Sequence, residues 1–149
     1  MRYFEDYEIG RIERFGAYQV TRDEVIDFAS KYDPQAFHLD DTAAAENPIF
    51  GRLAASGWHS CGMVMRMLID HWTVDGHFSL GGTDVDELRW VKPVYPGDIL
   101  SVEAETLSKS TPKSKPDRGF VRFGLAVLNQ DDEVVMTMKL TNIQTRRPA

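Results

Sequence analysis

The stretch AASGWHSCGMVMRMLID, residues 54–70, decides the fold. It begins with small residues and becomes a run of Met, Val, Leu and Ile, interrupted by the single charge of Arg66. Ser56 is a favourable N-cap residue, because its hydroxyl can accept a hydrogen bond from a first-turn N–H. Met65 and Ile69 extend the apolar character beyond one face, which predicts a central helix buried on nearly all sides. The apolar positions of the main face are Met63, Val64, Met67 and Leu68.

The start of this helix carries Gly57 and no bulky side chain before it. A helix N-terminus has unpaired N–H groups and a partial positive charge, which suit an anion or a developing oxyanion. On these residues alone two interpretations stay open. The helix is either a core element and nothing more, which is the simpler interpretation, or a core element whose first turn binds a ligand.

The amino-acid composition indicates which classes of protein this chain can belong to. The 149 residues suit one sizeable core, with 42% hydrophobic and 27% charged residues as in a globular domain. A net charge of -6 argues against a nucleic-acid partner. One cysteine, Cys61, excludes an internal disulfide and suits a reducing compartment. We find neither a secretory signal nor an apolar run long enough for a membrane helix, and we therefore expect a cytoplasmic protein without a membrane partner.

The first half of the chain has short helical patterns. Thr21 and Glu24 have the spacing of a capping box, in which each side chain bonds to the other residue's backbone N–H. The helix that they open must end near Tyr32, because the residue before Pro34 is displaced from helical geometry. The elements predicted in this half are a strand over residues 14–20, a helix from about 22 to 32 and a short helix over 41–46.

From Phe78 onward the pattern changes from helix to strand. In residues 100–106 apolar and polar side chains alternate, so one face of that strand is wet. Residues 94–98 contain Pro-Gly and predict a turn, and residues 109–119, without an apolar side chain, predict an exposed mobile loop. The predicted strands cover residues 84–92, 100–106, 121–127 and 134–143, with a hairpin turn at 129–132.

This order of elements predicts one α+β domain over residues 1–149. An antiparallel sheet has one face to bury, and a single long apolar helix is what it would wrap around. We find no internal repeat and no boundary that divides the chain.

Asp33 and His38 are candidates for acid/base chemistry. They are five residues apart in a connection interrupted by Pro34, and a loop can turn both side chains toward one water molecule. Such a pair also needs a group that stabilises developing negative charge, which the Gly57 N–H could supply. The alternative is that Asp33 caps a turn and His38 packs at the surface.

Other candidate sites are weaker. His59 and Cys61 are two residues apart on a helix and point to different faces, which argues against a thiol–imidazole dyad or a metal site. His38 and Asp40 have no second ligand cluster, so zinc is not expected. Glycine-rich nucleotide motifs are absent from the sequence. The locally basic residues 109–118 form a solvated loop or, alternatively, meet a substrate phosphate.

Three blocks together resemble a known family. They are YDPQAFHLD at residues 32–40, AASGW at 54–58 and RWVKPVYPGD at 89–98. Their order and spacing are similar to those of the MaoC-like dehydratases, which include the (R)-specific enoyl-CoA hydratases. The family pattern is roughly D-x-N-P-x-H-x-D, then H-G at the head of the central helix, then K-P-V-x-x-G-D between strands. The resemblance covers nearly the whole chain.

The resemblance implies a hotdog fold, in which a curved antiparallel sheet wraps a long helix, and a homodimer with sheets paired edge to edge. Asp33 and His38 match the family's catalytic pair. Gly57 matches the glycine whose N–H binds the thioester oxygen, with Ser56 beside it where the family usually has His. Gln35 and Ala36 replace the usual Asn-Pro, which puts the geometry of this loop in question.

The function implied is hydration of a trans-2-enoyl-CoA, or dehydration of a 3-hydroxyacyl-CoA, without a metal or redox cofactor. Coenzyme A is then part of the substrate. Two alternatives remain: a hotdog thioesterase, and a protein that binds acyl thioesters without turnover. Aromatic residues close to the site are expected to line the acyl pocket. They are Phe37, Trp58 and Trp90.

Overall fold

One five-stranded antiparallel sheet and one long helix dominate the computed structural model, which describes residues 1–74, 76 and 79–149. The strand order is β1-β3-β4-β5-β2. The strands are β1 (Ile12–Gln19), β2 (Ser79–Trp90), β3 (Ile99–Ser110), β4 (Arg118–Leu128) and β5 (Val134–Thr145). The helices are α1 (Arg22–Tyr32), α2 (Asp41–Glu46) and α3 (Gly57–Val74), and short 3-10 turns cover Phe4–Asp6 and Ala36–His38.

The long helix α3 packs one face against the sheet, which is the hotdog arrangement. Its predicted core face is confirmed, because all four apolar side chains of that face are at most 4% exposed. The expectation of burial on nearly all sides is wrong. Met65 is 52% exposed and Ile69 46%, because α3 has the sheet on one side only. The buried residues of the confirmed face are Met63, Val64, Met67 and Leu68.

The central strands show the expected alternation. Along β3 and β4 every second side chain is buried toward the core, while the residues between them are only partly buried. The edge strand β2 differs, since nearly all of its side chains are exposed. Its pairing with β5 shifts register at three points, and Gly81 at one of them has φ +134°. The core positions in β3 and β4 include Leu100, Val102, Ala104, Val121, Phe123, Leu125 and Val127.

Several predicted boundaries need correction. The first strand starts and ends earlier than residues 14–20, and the strand expected at 84–92 begins at Ser79 and ends at Trp90. The loop expected over 109–119 is shorter, because Lys109 and Ser110 still pair with β4. These ends lack an apolar pattern since backbone pairing, not side-chain burial, defines them. Phe78, where the change to strand was predicted, lies outside the described residues.

The predicted turns and the short helix α2 are confirmed. The Asp98 N–H donates to the Tyr95 carbonyl oxygen over 3.0 Å, and Gly97 has the positive φ of +96° that a type II turn requires. Asn129 closes the β4–β5 hairpin, since its N–H donates to the Glu133 carbonyl over 3.0 Å. Helix α2 has the predicted bounds, with the Asp40 carboxylate accepting from the Ala43 N–H.

Only one of the two hydrogen bonds predicted for the capping box at the N-terminus of α1 is formed. Thr21 Oγ1 accepts from the Glu24 N–H over 3.3 Å, but the reciprocal bond of a capping box is not formed. The Glu24 carboxylate instead accepts from the Tyr18 hydroxyl and, over 2.9 Å, from Nε2 of buried His59 in α3. Phe28 stacks on the His59 ring at 4.9 Å between centroids. These contacts fasten α1 to the first turns of α3.

The hydrogen bonds among Tyr18, Glu24 and His59 shift the pKa values of Tyr18 and Glu24. Burial and the hydrogen bond to Glu24 raise the pKa of Tyr18 to about 12. The Tyr18 hydrogen bond, opposed by partial burial and aided by His59, holds the pKa of Glu24 below its ordinary value. Because ionised Glu24 only accepts, the His59 proton lies on Nε2. Among the described residues, Nδ1 of His59 has no hydrogen-bond partner.

No helix in the described ranges is long and apolar enough to cross a membrane.

Replacing Glu24 with Ala should destabilise the fold, because it leaves the buried Nε2–H of His59 without its acceptor. We expect a loss of about 1–3 kcal/mol in the free energy of unfolding, measured by urea titration. Glu24→Gln is the matched control, since its amide oxygen can still accept, and it should lose clearly less. Equal losses in the two variants would show that the charge, and not the acceptor, is what matters.

Candidate active site

The connection after α1 turns two reactive side chains toward each other. Asp33 is the C-cap of α1, and its N–H donates to the Ala29 carbonyl over 2.9 Å. The chain then forms a 3-10 turn, in which the His38 N–H donates to the Gln35 carbonyl over 2.9 Å. This turn brings His38 Nε2 to 3.3 Å from Asp33 Oδ2. The predicted convergence of the two side chains is therefore present in the structure.

His38 is held in one orientation by a buried backbone group. Its Nδ1 lies 2.7 Å from the carbonyl oxygen of Ala54. A carbonyl oxygen only accepts, so Nδ1 carries the proton and Nε2 is the ring atom left to face Asp33. The side chain is 4% exposed, and the alternative of a histidine packed at the surface is wrong. Nε2 is thus the atom at which His38 can exchange a proton.

The Asp33 carboxylate is surrounded by groups that favour its ionised form. Partial burial acts to raise the pKa of Asp33, but the nearby Ser56 hydroxyl, the amide of Gln35 and the field of His38 outweigh it. The pKa of Asp33 therefore lies below its ordinary value. Gln35 Nε2 donates to Oδ1 over 2.7 Å, which leaves Oδ2 to face His38. The residue that departs from the family pattern is thus an orienting partner of the aspartate.

Ser56 stands at the N-cap position of α3 but does not cap it with its side chain. Its carbonyl accepts from the Ser60 N–H over 3.1 Å, as expected of an N-cap residue. Its hydroxyl is fully buried near Asp33, and in the described part of the chain it has no partner at hydrogen-bond distance. The prediction of a side-chain cap is wrong, because within the described residues this hydroxyl accepts from no first-turn N–H.

Gly57 begins α3 beneath an indole ring. A Cβ built on Gly57 would lie 2.3 Å from Cε2 of Trp90, so only glycine fits against this ring as it stands. Trp58 meets Trp90 edge to face, with 5.2 Å between ring centroids. Trp58 is 60% exposed and Trp90 47%, and the two rings form one wall beside the helix N-terminus.

One cavity of about 370 Å³ joins these groups. Asp33, His38 and Gly57 all line it, together with Trp58 and Trp90. Phe37, predicted as a lining residue, lies behind His38 and stacks on Phe50, with 4.9 Å between centroids. The other lining residues are Gln35, Ile49, Phe50, Ala55, Ser60, Val91, Lys92, Pro93 and Val94.

None of these nine residues had been predicted to line the cavity, and three of them show why. Phe50 takes the place expected for Phe37, and no periodic pattern marks it in the irregular segment before α3. Ser60 lies one turn into α3 on the same side as Ser56, which the helical spacing could have shown. Lys92 belongs to the third quoted block, and its ammonium pairs with Glu133.

The structure gives different partners to the residues of each alternative site considered from the sequence. His59 bonds to Glu24, whereas Cys61 lies near Met136, with 4.0 Å between the two sulfur atoms. Burial raises the pKa of the Cys61 thiol, which disfavours a reactive thiolate. Asp40 caps α2 and does not join His38.

The remaining alternative concerned the basic loop. Lys109 belongs to β3 rather than to the loop, and its ammonium donates to the Tyr7 carbonyl over 2.8 Å. It also lies over the Phe4 ring, 4.4 Å from the centroid. The ammonium of Lys109 is therefore bound by the N-terminal segment.

The arrangement provides the parts of an acid/base site for a carbonyl compound. An ionised carboxylate and an imidazole face each other, and the start of a helix borders the same cavity. Acid/base groups at hydrogen-bond distance can move a proton, and a helix N-terminus stabilises a nearby oxyanion. The aromatic wall suits an apolar or planar group of a ligand.

Comparison with known proteins gives one family. The family model described as the MaoC like domain matches residues 8–127. The crystal structure of a MaoC-like dehydratase from Rhodospirillum rubrum is 36% identical, with a TM-score of 0.85 and full coverage of both chains.

Two further relatives are more distant. R-hydratase PhaJ1 from Pseudomonas aeruginosa is 28% identical, with a TM-score of 0.71 and coverage of 97% of this chain and 86% of that one. Protein YdeM of Bacillus subtilis (strain 168) is 26% identical over 140 residues, which are 92% of this chain and 94% of the relative.

Gly57→Ala and Gly62→Ala form a matched pair on α3. An added Cβ at Gly62 meets nothing within 4 Å, so Gly62→Ala should stabilise the helix by about 0.5–1 kcal/mol. Gly57→Ala should lose that gain and shift tryptophan emission, because the Trp90 ring must move. Urea unfolding and fluorescence measure the two effects. A Gly57→Ala protein as stable as Gly62→Ala, with unchanged emission, would contradict the contact.

Proposed function

The chain belongs to the MaoC-like domain family, and from this premise we propose that it is a hydro-lyase that acts on acyl-CoA thioesters. It would add water to a trans-2-enoyl-CoA or dehydrate a 3-hydroxyacyl-CoA. The observation that carries the proposal is the convergence of Asp33 and His38 on the cavity that Gly57 also lines. The similarity to an enzyme described as an R-hydratase supports the same reaction class.

In the hydration direction, water binds between Asp33 Oδ2 and His38 Nε2. The pair removes one proton from the water as its oxygen bonds to C3 of the enoyl group. The C2–C3 double bond is lost, and its electrons move toward the thioester carbonyl to give an enolate-like oxygen. When the carbonyl re-forms, the pair delivers one proton to C2. One water is thereby added without an oxidant, a reductant or a further co-reactant.

Gly57 would stabilise the enolate-like oxygen. Its N–H lies in the first turn of α3, where N–H groups have no intrahelical acceptor and the helix dipole is positive. A donor placed where charge develops lowers the barrier more than it strengthens substrate binding. Because the Trp90 ring packs on Gly57, the aromatic wall would lie beside the reacting carbonyl.

The acyl group would lie along the aromatic side of the cavity. Phe50, Trp58 and Trp90 offer apolar and aromatic surface, and the ammonium of Lys92 is already paired with Glu133. This surface favours a hydrocarbon acyl chain over a charged one. The chemistry assigned to Asp33, His38 and Gly57 needs no metal or redox cofactor, and coenzyme A enters as part of the substrate.

We also propose a homodimer joined through the edge strand β2. This strand has 12 residues, lies at the edge of the described sheet beside β5 and exposes Leu80, Val85 and Trp90. A long edge strand with apolar side chains is a template for pairing with another strand, and a second copy of β2 would cover it.

Asp33→Asn should slow hydration of crotonyl-CoA by at least about 100-fold, the usual contribution of a general acid or base. The assay follows the loss of ultraviolet absorbance as the conjugated double bond is hydrated. Asp23→Asn, an exposed change in the first turn of α1, is the matched control and should retain activity within about twofold. Turnover by Asp33→Asn at the wild-type rate would remove Asp33 from the mechanism.

The same assay separates the alternative functions. A thioesterase would release free coenzyme A thiol from crotonyl-CoA, which a thiol reagent detects, whereas a hydratase would not. A protein that only binds acyl thioesters would give neither signal.

Light scattering of the purified protein should give a mass twice the 16.9 kDa of one chain. The expectation follows from the exposed apolar edge of β2. A monomeric mass at micromolar concentration would contradict the proposed pairing.

A further inference from the structure

Arg52 is an exposed arginine whose guanidinium is held in place without being neutralised. Its Cζ lies 3.8 Å from the centroid of the Tyr95 ring. In the described part of the chain, no carboxylate or hydrogen-bond acceptor binds this guanidinium. Stacking on an aromatic ring orients the planar group while its N–H donors stay free.

The ring beneath Arg52 is itself rigidly placed. The Tyr95 hydroxyl donates to the Phe50 carbonyl over 2.6 Å, and its backbone N–H donates to Asp98 Oδ2 over 2.9 Å. Asp98 is buried and accepts from Gln130 at its other oxygen over 3.0 Å. The ring is therefore fixed at both ends, and Arg52 loses little conformational freedom when it binds a ligand.

This stacked pair adjoins the proposed active site. Phe50, bonded to Tyr95 and two residues before Arg52, lines the cavity, as does Val94 beside Tyr95. The Cα atoms of Arg52 and Phe50 can be no more than about 8 Å apart. Lys92, the cation that lines the cavity itself, is neutralised by Glu133. Arg52 thus offers a positive charge, stacked on Tyr95, next to residues that line this cavity, in a chain of net charge -6.

We propose that Arg52, stacked on Tyr95, binds the phosphate of the phosphopantetheine arm that carries the acyl thioester. A guanidinium presents paired N–H donors that match two phosphate oxygens, which suits it to phosphate better than a lysine. The arm would run from the thioester beside Gly57 out of the cavity to this charge. The inference rests on the proposed function for the identity of the ligand.

Binding is measured by isothermal titration of the whole protein with coenzyme A, 4′-phosphopantetheine and pantetheine. Arg52→Gln should weaken binding of the two phosphate-bearing probes by about tenfold or more, the effect of one charge-assisted contact. Binding of pantetheine, which lacks the phosphate, should not change. Arg52→Lys should fall between, because lysine keeps the charge and loses the planar stacked fork. Arg66→Gln, another exposed arginine, is the control and should bind as wild type.

Three results would overturn the proposal. They are absence of coenzyme A binding to the wild-type protein, equal binding by wild type and Arg52→Gln, and equal weakening of all three probes by Arg52→Gln. Because Arg52 is exposed, loss of its stacking on Tyr95 should shift the unfolding midpoint only slightly, and this is measured alongside.

The arms of the experiment separate this inference from the proposed reaction. Arg52-dependent binding of coenzyme A without hydration of crotonyl-CoA would support the phosphate site and refute the hydro-lyase. Hydration of crotonyl-CoA with an unchanged KM in Arg52→Gln would support the hydro-lyase and refute the phosphate site. Comparing crotonyl-CoA with a crotonyl group on acyl carrier protein tells which carrier uses the site, since both contain the phosphopantetheine phosphate.

Discussion

The buried backbone of residues 53–56 is the constraint on which the rest of the structure depends. These four residues are at most 5% exposed, so their peptide groups must find partners inside the protein. The Ala54 carbonyl accepts from His38, and the Ala55 N–H donates to the Val94 carbonyl over 2.8 Å. One short segment therefore joins the loop that carries His38, the turn after β2 and the start of α3.

This constraint explains why a core element and the candidate site share one helix. The apolar face of α3 fixes the helix on the sheet, and the buried segment before it fixes where the first turn lies. His59 adds a third attachment by bonding to Glu24 of α1, the helix whose C-cap is Asp33. The separation of Asp33 from Gly57 is thus set by packing in three directions rather than by a flexible loop.

The sequence predicted the parts of the fold that depend on side-chain pattern. The core face of α3, the alternation in β3 and β4 and the bounds of α2 all follow from periodicity and capping residues. It did not predict the ends of β2, whose exposed side chains carry no apolar pattern and which exists through backbone pairing with β5. Periodicity and capping rules describe contacts within one element, so they do not locate strand ends that are set by pairing with a distant strand.

In the candidate site, too, some features could be predicted from the sequence and others could not. Asp33, His38 and Gly57 were identified through spacing and resemblance, and the fold brings all three to one cavity. Glu24 and Ser56 have the residue types of capping positions, yet neither side chain caps its helix: Glu24 bonds to His59, and the Ser56 hydroxyl has no partner among the described residues. A side chain that can cap a helix can equally bond across the fold, and the choice depends on neighbours that the sequence does not place together.

The two departures from the family pattern act on the same carboxylate. Gln35 is one methylene longer than the usual asparagine, and its amide still reaches Asp33 over 2.7 Å. Ser56 puts a small neutral hydroxyl where the family usually has an imidazole, so His38 is the imidazole that faces Asp33. The carboxylate therefore keeps its orientation and its lowered pKa while the space beside it changes. Both departures therefore lie beside the carboxylate, and neither displaces Asp33 or His38 from the cavity.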